Sequence, residues 1–192
     1  MSVEQVLKFW LDEVGPEGWY HSSTELDQQI HDQFHGLWSE IMQGKHGMWL
    51  TYPSGALAYI IVTDQFSRNM FRGSAQSFAS DRIALCAAKS SIGQDWDLKI
   101  DPPARQFFYL PLMHSENLSD QDRCVRLMKS RLSQDPSNLT HAQVHRQVIR
   151  QFGRFPYRNQ ALGRKDTQPE IAYLAEGGYG LTYQQMTAAL SA

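Results

Sequence analysis

The segment ALAYIIVTDQFSRNMFRG, residues 56–73, is apolar throughout its first half and densely polar in its second half. A helix that is apolar on every side is typical of a buried position rather than of a surface position. Asp64 and Arg68 stand at i and i+4, where helical side chains of opposite charge meet. Because a buried charge is costly unless it is paired, we expect the polar half to find partners inside the fold.

Outward from this segment, apolar residues recur every three or four positions, which is the spacing of helices with one buried face. No segment shows the strict alternation that is typical of a half-buried strand. The pattern predicts helices at 3–14, 23–43, 55–71, 75–92, 103–115, 120–134, 141–152, 168–176 and 182–190. Short connections favour antiparallel neighbours. The sequence therefore predicts an all-α protein of stacked antiparallel helices, about nine in number, in a single helical domain over residues 1–192.

Capping signals accompany these predicted helices. A hydroxyl followed three residues later by an acid or amide is typical of a capping box, and this pattern occurs at Ser2 with Gln5, Ser22 with Glu25, Ser119 with Asp122, Thr140 with Gln143 and Thr167 with Glu170. Glycines that can close a helix in the left-handed conformation follow at Gly44, Gly93, Gly153 and Gly177. Pro111 is expected to kink or restart the helix that contains it, because proline has no backbone N–H.

The composition limits the classes of protein to which the chain can belong. The formal net charge of −2 argues against a strongly basic nucleic-acid binder, so no nucleic-acid partner is expected. No run of 18 apolar residues occurs, and the N-terminus does not resemble a secretion signal, so we expect a cytoplasmic protein without a membrane span. Cys86 and Cys124 both lie in apolar-patterned segments, which predicts reduced, buried thiols. No cofactor motif is present, and we expect no cofactor.

A second polar segment, FGRFPYRNQALGR at residues 152–164, echoes the first. In both segments an arginine-asparagine pair follows phenylalanine and precedes glycine: Arg68-Asn69 in one, and Arg158-Asn159 in the other. Guanidinium groups match the oxygens of carboxylates and phosphates. We therefore predict a polar cleft for a small anionic ligand, with Arg164 as a further cation. Its candidate ligand-binding residues are Asp64, Gln65, Arg68, Asn69, Arg72, Arg105, Arg154, Arg158 and Asn159.

Three further residues are candidates for catalysis. His114 stands beside Glu116, and a histidine oriented by a carboxylate is the usual form of a general base. His145 lies on a predicted helix face among apolar residues, where a hydrogen-bonded core histidine is the alternative. His31 and His35 have a helical spacing that can hold a metal, but no third ligand accompanies them, so no metal site is predicted.

Two alternatives stay open beside the anion-binding cleft. The arginines can be structural, with pairs such as Arg68 with Asp64 and Arg105 with Glu116 joining helices. The fold can instead be a helical-repeat scaffold that binds a peptide or partner protein without catalysis. The sequence decides neither whether the protein is an enzyme nor its oligomeric state.

Long motifs between residues 9 and 176 resemble the bacterial family known as domain of unknown function 924. These motifs are Trp49 with Pro53-x-Gly55, Asp64-Gln65-Phe66-x-Arg68-Asn69-x-Phe71-Arg72-Gly73, Tyr109-Leu110-Pro111-x-Met113-His114-Ser115-Glu116, Asp120-Gln121, His145-Arg146, Phe152-Gly153-Arg154-Phe155-Pro156-x-Arg158-Asn159 and Leu162-Gly163-Arg164. The resemblance implies a right-handed superhelix similar to tetratricopeptide-repeat proteins, and it implies no activity. The sequence departs from the family at Ser67, usually proline, and at Tyr157, often histidine.

Overall fold

The computed structural model describes residues 1–21, 23–133 and 136–190, and within these ranges the chain forms nine helices and no strand. Ser22, a predicted capping residue, and residue 134, the end of a predicted helix, lie outside the described residues. The chain divides into two compact units, Met1–Pro111 and Leu112–Ala192. The all-α class is confirmed and is compatible with a tetratricopeptide-like arrangement. The superhelix and the single domain stay predictions.

The first unit contains four long helices. Helix α1 comprises Val3–Leu7, a π-helical segment Lys8–Val14 and Gly15–Gly18. Helix α2 is Thr24–Met42. Helix α3 comprises Pro53–Ile60, a π-helical segment Ile61–Phe66 and Ser67–Met70, and α4 is Asp81–Gly93. Short 3₁₀ turns lie at Gly47–Thr51, Ala75–Phe78, Asp97–Lys99 and Ala104–Phe108.

Helix α3 is the centre of the first unit, as its apolar sequence predicts. Every residue from 55 to 67 is buried, and α3 packs against α1, α2 and α4. Phe66 is fully buried, and its ring lies 4.6 Å from Phe34, 5.3 Å from Trp10 and 5.9 Å from Phe9, measured between centroids. The aromatic contacts therefore join three helices through one side chain.

The entry into α3 depends on a close approach that only glycine permits. A Cβ atom at Gly55 would overlap the carbonyl oxygen of Trp49 and would lie 2.7 Å from the Tyr52 ring. This steric limit gives a physical reason for a glycine two residues after Pro53, where the turn Gly47–Thr51 packs on α3.

The second unit begins inside a short helix. Helix α5, Leu110–Met113, spans the boundary between the units and is followed by α6, Leu118–Arg131, and α7, Pro136–Phe152. The α6 and α7 helices pack on each other as an antiparallel hairpin. A 3₁₀ turn at Pro156–Arg158 leads to α8, Gln168–Ala175, and α9, Gly178–Leu190, which packs on α7.

Several predicted boundaries are confirmed and others are wrong. Ser2 with Gln5 forms a full capping box, and the Thr167 N–H donates to Glu170. Thr140 instead lies inside α7, where its hydroxyl donates to the Pro136 carbonyl, because α7 begins five residues earlier than predicted. Asn117, not Ser119, caps α6. The predicted helix at 103–115 is a 3₁₀ turn followed by α5, which restarts around Pro111 as expected.

The two thiols differ in exposure, so the prediction that both are buried is wrong for Cys86. The buried face of α4 is formed by Ala84, Ala88 and Ser91, and Cys86 lies off that face. Cys124 is fully buried in α6, and burial raises the pKa of its thiol. Both cysteines are free thiols.

Within residues 1–21, 23–133 and 136–190, every helix is too short or too polar to cross a bilayer.

The thiols give a test of this packing. In the native protein, Ellman's reagent should modify Cys86 rapidly and should reach Cys124 only after the chain is denatured, because the reactive species is an accessible thiolate. Counting modified thiols before and after guanidinium addition measures this. Cys86→Ser is the control and should abolish the rapid phase, and two rapid thiols in the native protein would contradict the packing of α6.

Candidate functional site

The first polar corner, formed by Asp64, Gln65, Arg68, Asn69 and Arg72, lies at the C-terminal end of α3 in the first unit. Asp64 is fully buried, and its Oδ1 lies 3.4 Å from Arg68 Nη2, as the i, i+4 spacing predicts. The same Nη2 atom donates to Asp81 Oδ1 at 2.9 Å, and Arg68 Nη1 donates to the Ser77 carbonyl at 3.3 Å. Gln65 donates to Asp64 Oδ2. Arg68 therefore joins α3 to the start of α4.

Asn69, in the last turn of α3, and Arg72, just beyond its end, both contact Asp27 of α2. Asn69 Nδ2 donates to Asp27 Oδ1 at 2.8 Å, while Arg72 donates through Nε at 2.6 Å and Nη2 at 2.8 Å. Burial raises the pKa of the Asp27 carboxyl, but the hydrogen bonds from Arg72 and Asn69 outweigh that effect and hold it below its ordinary value.

The first corner therefore has the contacts that are expected if its arginines are structural. Each of its arginines lies on a carboxylate of a neighbouring helix. Arg105, in the 3₁₀ turn Ala104–Phe108, donates from Nε to the Ile100 carbonyl at 2.9 Å. A ligand-binding role for the first corner and for Arg105 stays a prediction.

The second polar corner belongs to the other unit and contains Arg154, Arg158, Asn159 and Arg164. Arg154 forms a bidentate ion pair with Glu170 of α8, through Nε at 2.7 Å and Nη2 at 2.8 Å. The Glu170 side chain is only 2% exposed. The hydrogen bonds from Arg154 are the main reason that the pKa of Glu170 lies well below its ordinary value.

Glu116 is held by the second corner. Its carboxylate receives Arg164 Nη1 at 2.8 Å, Arg164 Nη2 at 3.0 Å and the backbone N–H of Phe155 at 2.8 Å. Burial raises the pKa of Glu116, but these donors outweigh it and the pKa is lowered. Asn159 is 1% exposed, accepts from Arg164 Nε at 2.8 Å and donates to Asp166 at 2.7 Å. The contacts of Glu116 thus fix the loop that carries Arg158.

Both candidate histidines lie together in the second unit. The ring of His145, on α7, lies 6.3 Å from the ring of His114, 5.5 Å from Phe155 and 5.0 Å from Tyr179, measured between centroids. The guanidinium of Arg158 lies over the Phe155 ring at 4.5 Å. We call His114, His145, Phe155, Arg158 and Tyr179 the histidine cluster.

The hydrogen bond to the backbone fixes the tautomer of His145. Its Nδ1 lies 2.9 Å from the His141 carbonyl oxygen, which can only accept, so Nδ1 carries the proton. Burial, together with electrostatic interactions with His114 and Arg158, lowers the pKa of His145 to about 3. His145 is therefore neutral at physiological pH, and its Nε2 carries a lone pair.

Several partners of these residues were not predicted from sequence. Asp27, Asp81 and Tyr179 lie too far along the chain from the residues they contact for any local spacing to indicate the pairing. Asp166 is only seven residues from Asn159, but it lies in an irregular segment where no periodic spacing applies. Glu170 was predicted only as a capping residue, and it combines that role with the ion pair to Arg154. His31 and His35 stack at 4.9 Å, and no group of three metal-binding side chains occurs within the described ranges.

The ion pair of Glu170 predicts a pH-dependent contribution to stability. Because the folded-state pKa lies below the ordinary value of 4.5, the stabilisation is present above about pH 4.5 and is lost as the pH falls further. Glu170→Gln should lower the melting temperature at pH 7 by roughly 3–10 °C, since it removes hydrogen bonds between charged groups. The difference from the original protein should shrink at lower pH.

Thermal unfolding followed by circular dichroism between pH 3 and pH 8 measures this effect. Glu176→Gln, at an exposed carboxylate just after α8, is the matched control and should leave the melting temperature unchanged. A destabilisation by Glu170→Gln that stays constant with pH would rule out the ionic contribution.

Comparisons with known proteins support the family that the sequence motifs indicate. The model of a family described as bacterial protein of unknown function, DUF924, matches residues 6–178. A solved structure, that of the protein of unknown function ATU0120 from Agrobacterium tumefaciens, is 34% identical, with a TM-score of 0.86, and the match covers 91% of this chain and 97% of that chain. None of the curated proteins matches. Because the family model spans most of its length, the chain belongs to the DUF924 family of bacterial proteins.

Proposed function

We propose that the histidine cluster of the second unit binds a small anionic ligand through a carboxylate or phosphate group. The observation that carries the proposal is the gathering of two histidines and one arginine at one partly buried place. The rings of His114 and His145 lie 6.3 Å apart, and the Arg158 guanidinium lies over the Phe155 ring that packs beside His145. A bound anion would be attracted to the charge of Arg158 and would offset the repulsion that disfavours a proton on His145.

The surroundings of the cluster favour a ligand with an apolar part next to its charge. The rings of Phe155 and Tyr179 lie beside His145, and Tyr157 stacks on Phe155 at 5.3 Å. Arg158 itself is only 6% exposed, which strengthens its interaction with an anion because little water screens it. Arg154, Asn159 and Glu116 hold the loop through their own ion pairs and hydrogen bonds.

The lone pair on His145 Nε2 suits a hydrogen-bond donor on the same ligand, such as a hydroxyl or a protonated acid. Proton acceptance at Nε2 is the chemistry that this arrangement permits if the ligand is a substrate. An anion next to His145 offsets the charge of Arg158 and so raises the pKa of His145 from about 3. Anion binding should therefore take up protons at acid pH, in the window that opens upward from that value, and become tighter as the pH falls toward it.

Titration with inorganic phosphate, acetate and malonate in a buffer free of these ions tests the proposal. At an anion concentration of 100 times Kd, the melting temperature should rise by roughly 5–10 °C. Isothermal calorimetry at acid pH, in two buffers of different ionisation enthalpy, should show proton uptake on binding. Sodium chloride at the same ionic strength is the control for screening and should give no such shift.

Variants of Arg158 and His145 distinguish a loss of anion binding from a loss of folding. Arg158→Gln should weaken anion binding about 10–100-fold, because it removes a charge-assisted contact. His145→Asn should abolish the proton uptake. His31→Asn, in the other unit, is the matched control and should change neither result. If none of the three anions shifts the melting temperature, the proposal fails, and recovery of a partner protein would then favour the helical-scaffold alternative.

A further inference from the structure

A cavity lies in the first unit, and none of its lining residues belongs to the first polar corner. It has a volume of about 280 Å³ and lies between α3, α4 and the turn Gly47–Thr51. Its lining residues are Leu50, Tyr59, Ile83, Cys86, Ala87, Ser90 and Ser91. We call this the Tyr59 cavity.

The inner end of this cavity presents a hydroxyl group without a partner. Tyr59 is 7% exposed, and none of the described residues hydrogen-bonds to its phenol oxygen. The phenol oxygen is not shut off from solvent, so water that enters the cavity can satisfy it, and a ligand that accepts from the hydroxyl would take the place of that water. Burial raises the pKa of Tyr59, so the phenol remains protonated and can donate at neutral pH.

The rest of the lining limits the charge of any ligand. The described lining contains no acidic or basic side chain, and Leu50, Ile83 and Ala87 make it largely apolar. The Ser91 hydroxyl already donates to the Ala87 carbonyl at 2.8 Å, which leaves Tyr59 as the deep donor. An ion in this place would lose its hydration without gaining a counter-charge.

The volume limits the size of the ligand. Cavities that hold benzene are about 150 Å³, and sites for drug-sized molecules begin at about 300 Å³. The Tyr59 cavity therefore suits one ring with a short substituent. Its outer end is reached from solvent, because Cys86 and Ser90 are exposed.

We propose that the Tyr59 cavity is a binding site for a small uncharged molecule with an apolar body and one hydrogen-bond acceptor, which receives the Tyr59 hydroxyl. The Cys86 thiol lies at the outer end of the site and is covered when the site is filled. This site is independent of the histidine cluster, and either can exist without the other.

Benzamide is the probe that tests this inference, because it combines one ring with an uncharged carbonyl acceptor. Titration of the isotope-labelled full chain should shift the backbone amide signals of residues 83–91, and saturating benzamide should slow the alkylation of Cys86 by iodoacetamide. Benzoate, with the same ring and a negative charge, should bind at least about tenfold more weakly. Ethylbenzene, which lacks the acceptor, should bind through apolar contacts alone.

Tyr59→Phe separates the hydroxyl from the cavity. This variant should weaken benzamide binding about tenfold and leave ethylbenzene binding unchanged, because it removes one hydrogen bond and keeps the ring. Its melting temperature should not fall, since the lost hydroxyl has no partner in the protein. Tyr52→Phe, at an exposed tyrosine of the same unit, is the matched control and should behave as the original protein.

Three results would each overturn the inference. They are the absence of amide shifts and of Cys86 protection with benzamide, equal benzamide affinity in Tyr59→Phe, and benzoate binding as tight as that of benzamide. A lower melting temperature of Tyr59→Phe would also count against it, because it would show that the hydroxyl already has a partner in the folded protein.

Discussion

The burial of Asp64 inside α3 is the constraint on which the first unit depends. A carboxylate withdrawn from water costs several kcal/mol unless a positive group and further donors accompany it. Arg68 and Gln65 supply these contacts, and Arg68 reaches Asp81 and the Ser77 carbonyl as well. The helix that carries the apolar core of this unit therefore also determines where the chain leading into α4 must lie.

The second unit also pairs carboxylates with arginines, and there the pairs fix a loop. Glu116 and Glu170 each receive two hydrogen bonds from an arginine, and Asn159 links Arg164 to Asp166. These contacts fix the irregular segment between α7 and α8, whose own backbone hydrogen bonds are those of turns. Arg158 is thereby held over Phe155, next to a histidine that remains neutral.

The arginines of the two polar corners and His145 have different electrostatic surroundings. A guanidinium already joined to a carboxylate stabilises the fold and offers little to a ligand, as at Arg72 and Arg154. His145 has the opposite surroundings, because each charge that acts on it disfavours its protonation. The cluster is therefore the part of the second unit whose electrostatics a bound anion would improve.

The sequence by itself determined the helical class, the buried course of α3 and the pairing of Asp64 with Arg68, because these follow from spacings within one helix. The motifs also indicated the family. Tertiary structure alone decided that Asp27 receives Asn69 and Arg72, that Glu170 binds Arg154 and that Tyr179 lies beside His145. Those contacts join residues far apart in the chain, and local periodicity carries no information about them. The exposure of Cys86 was likewise decided by which side of α4 met a neighbour.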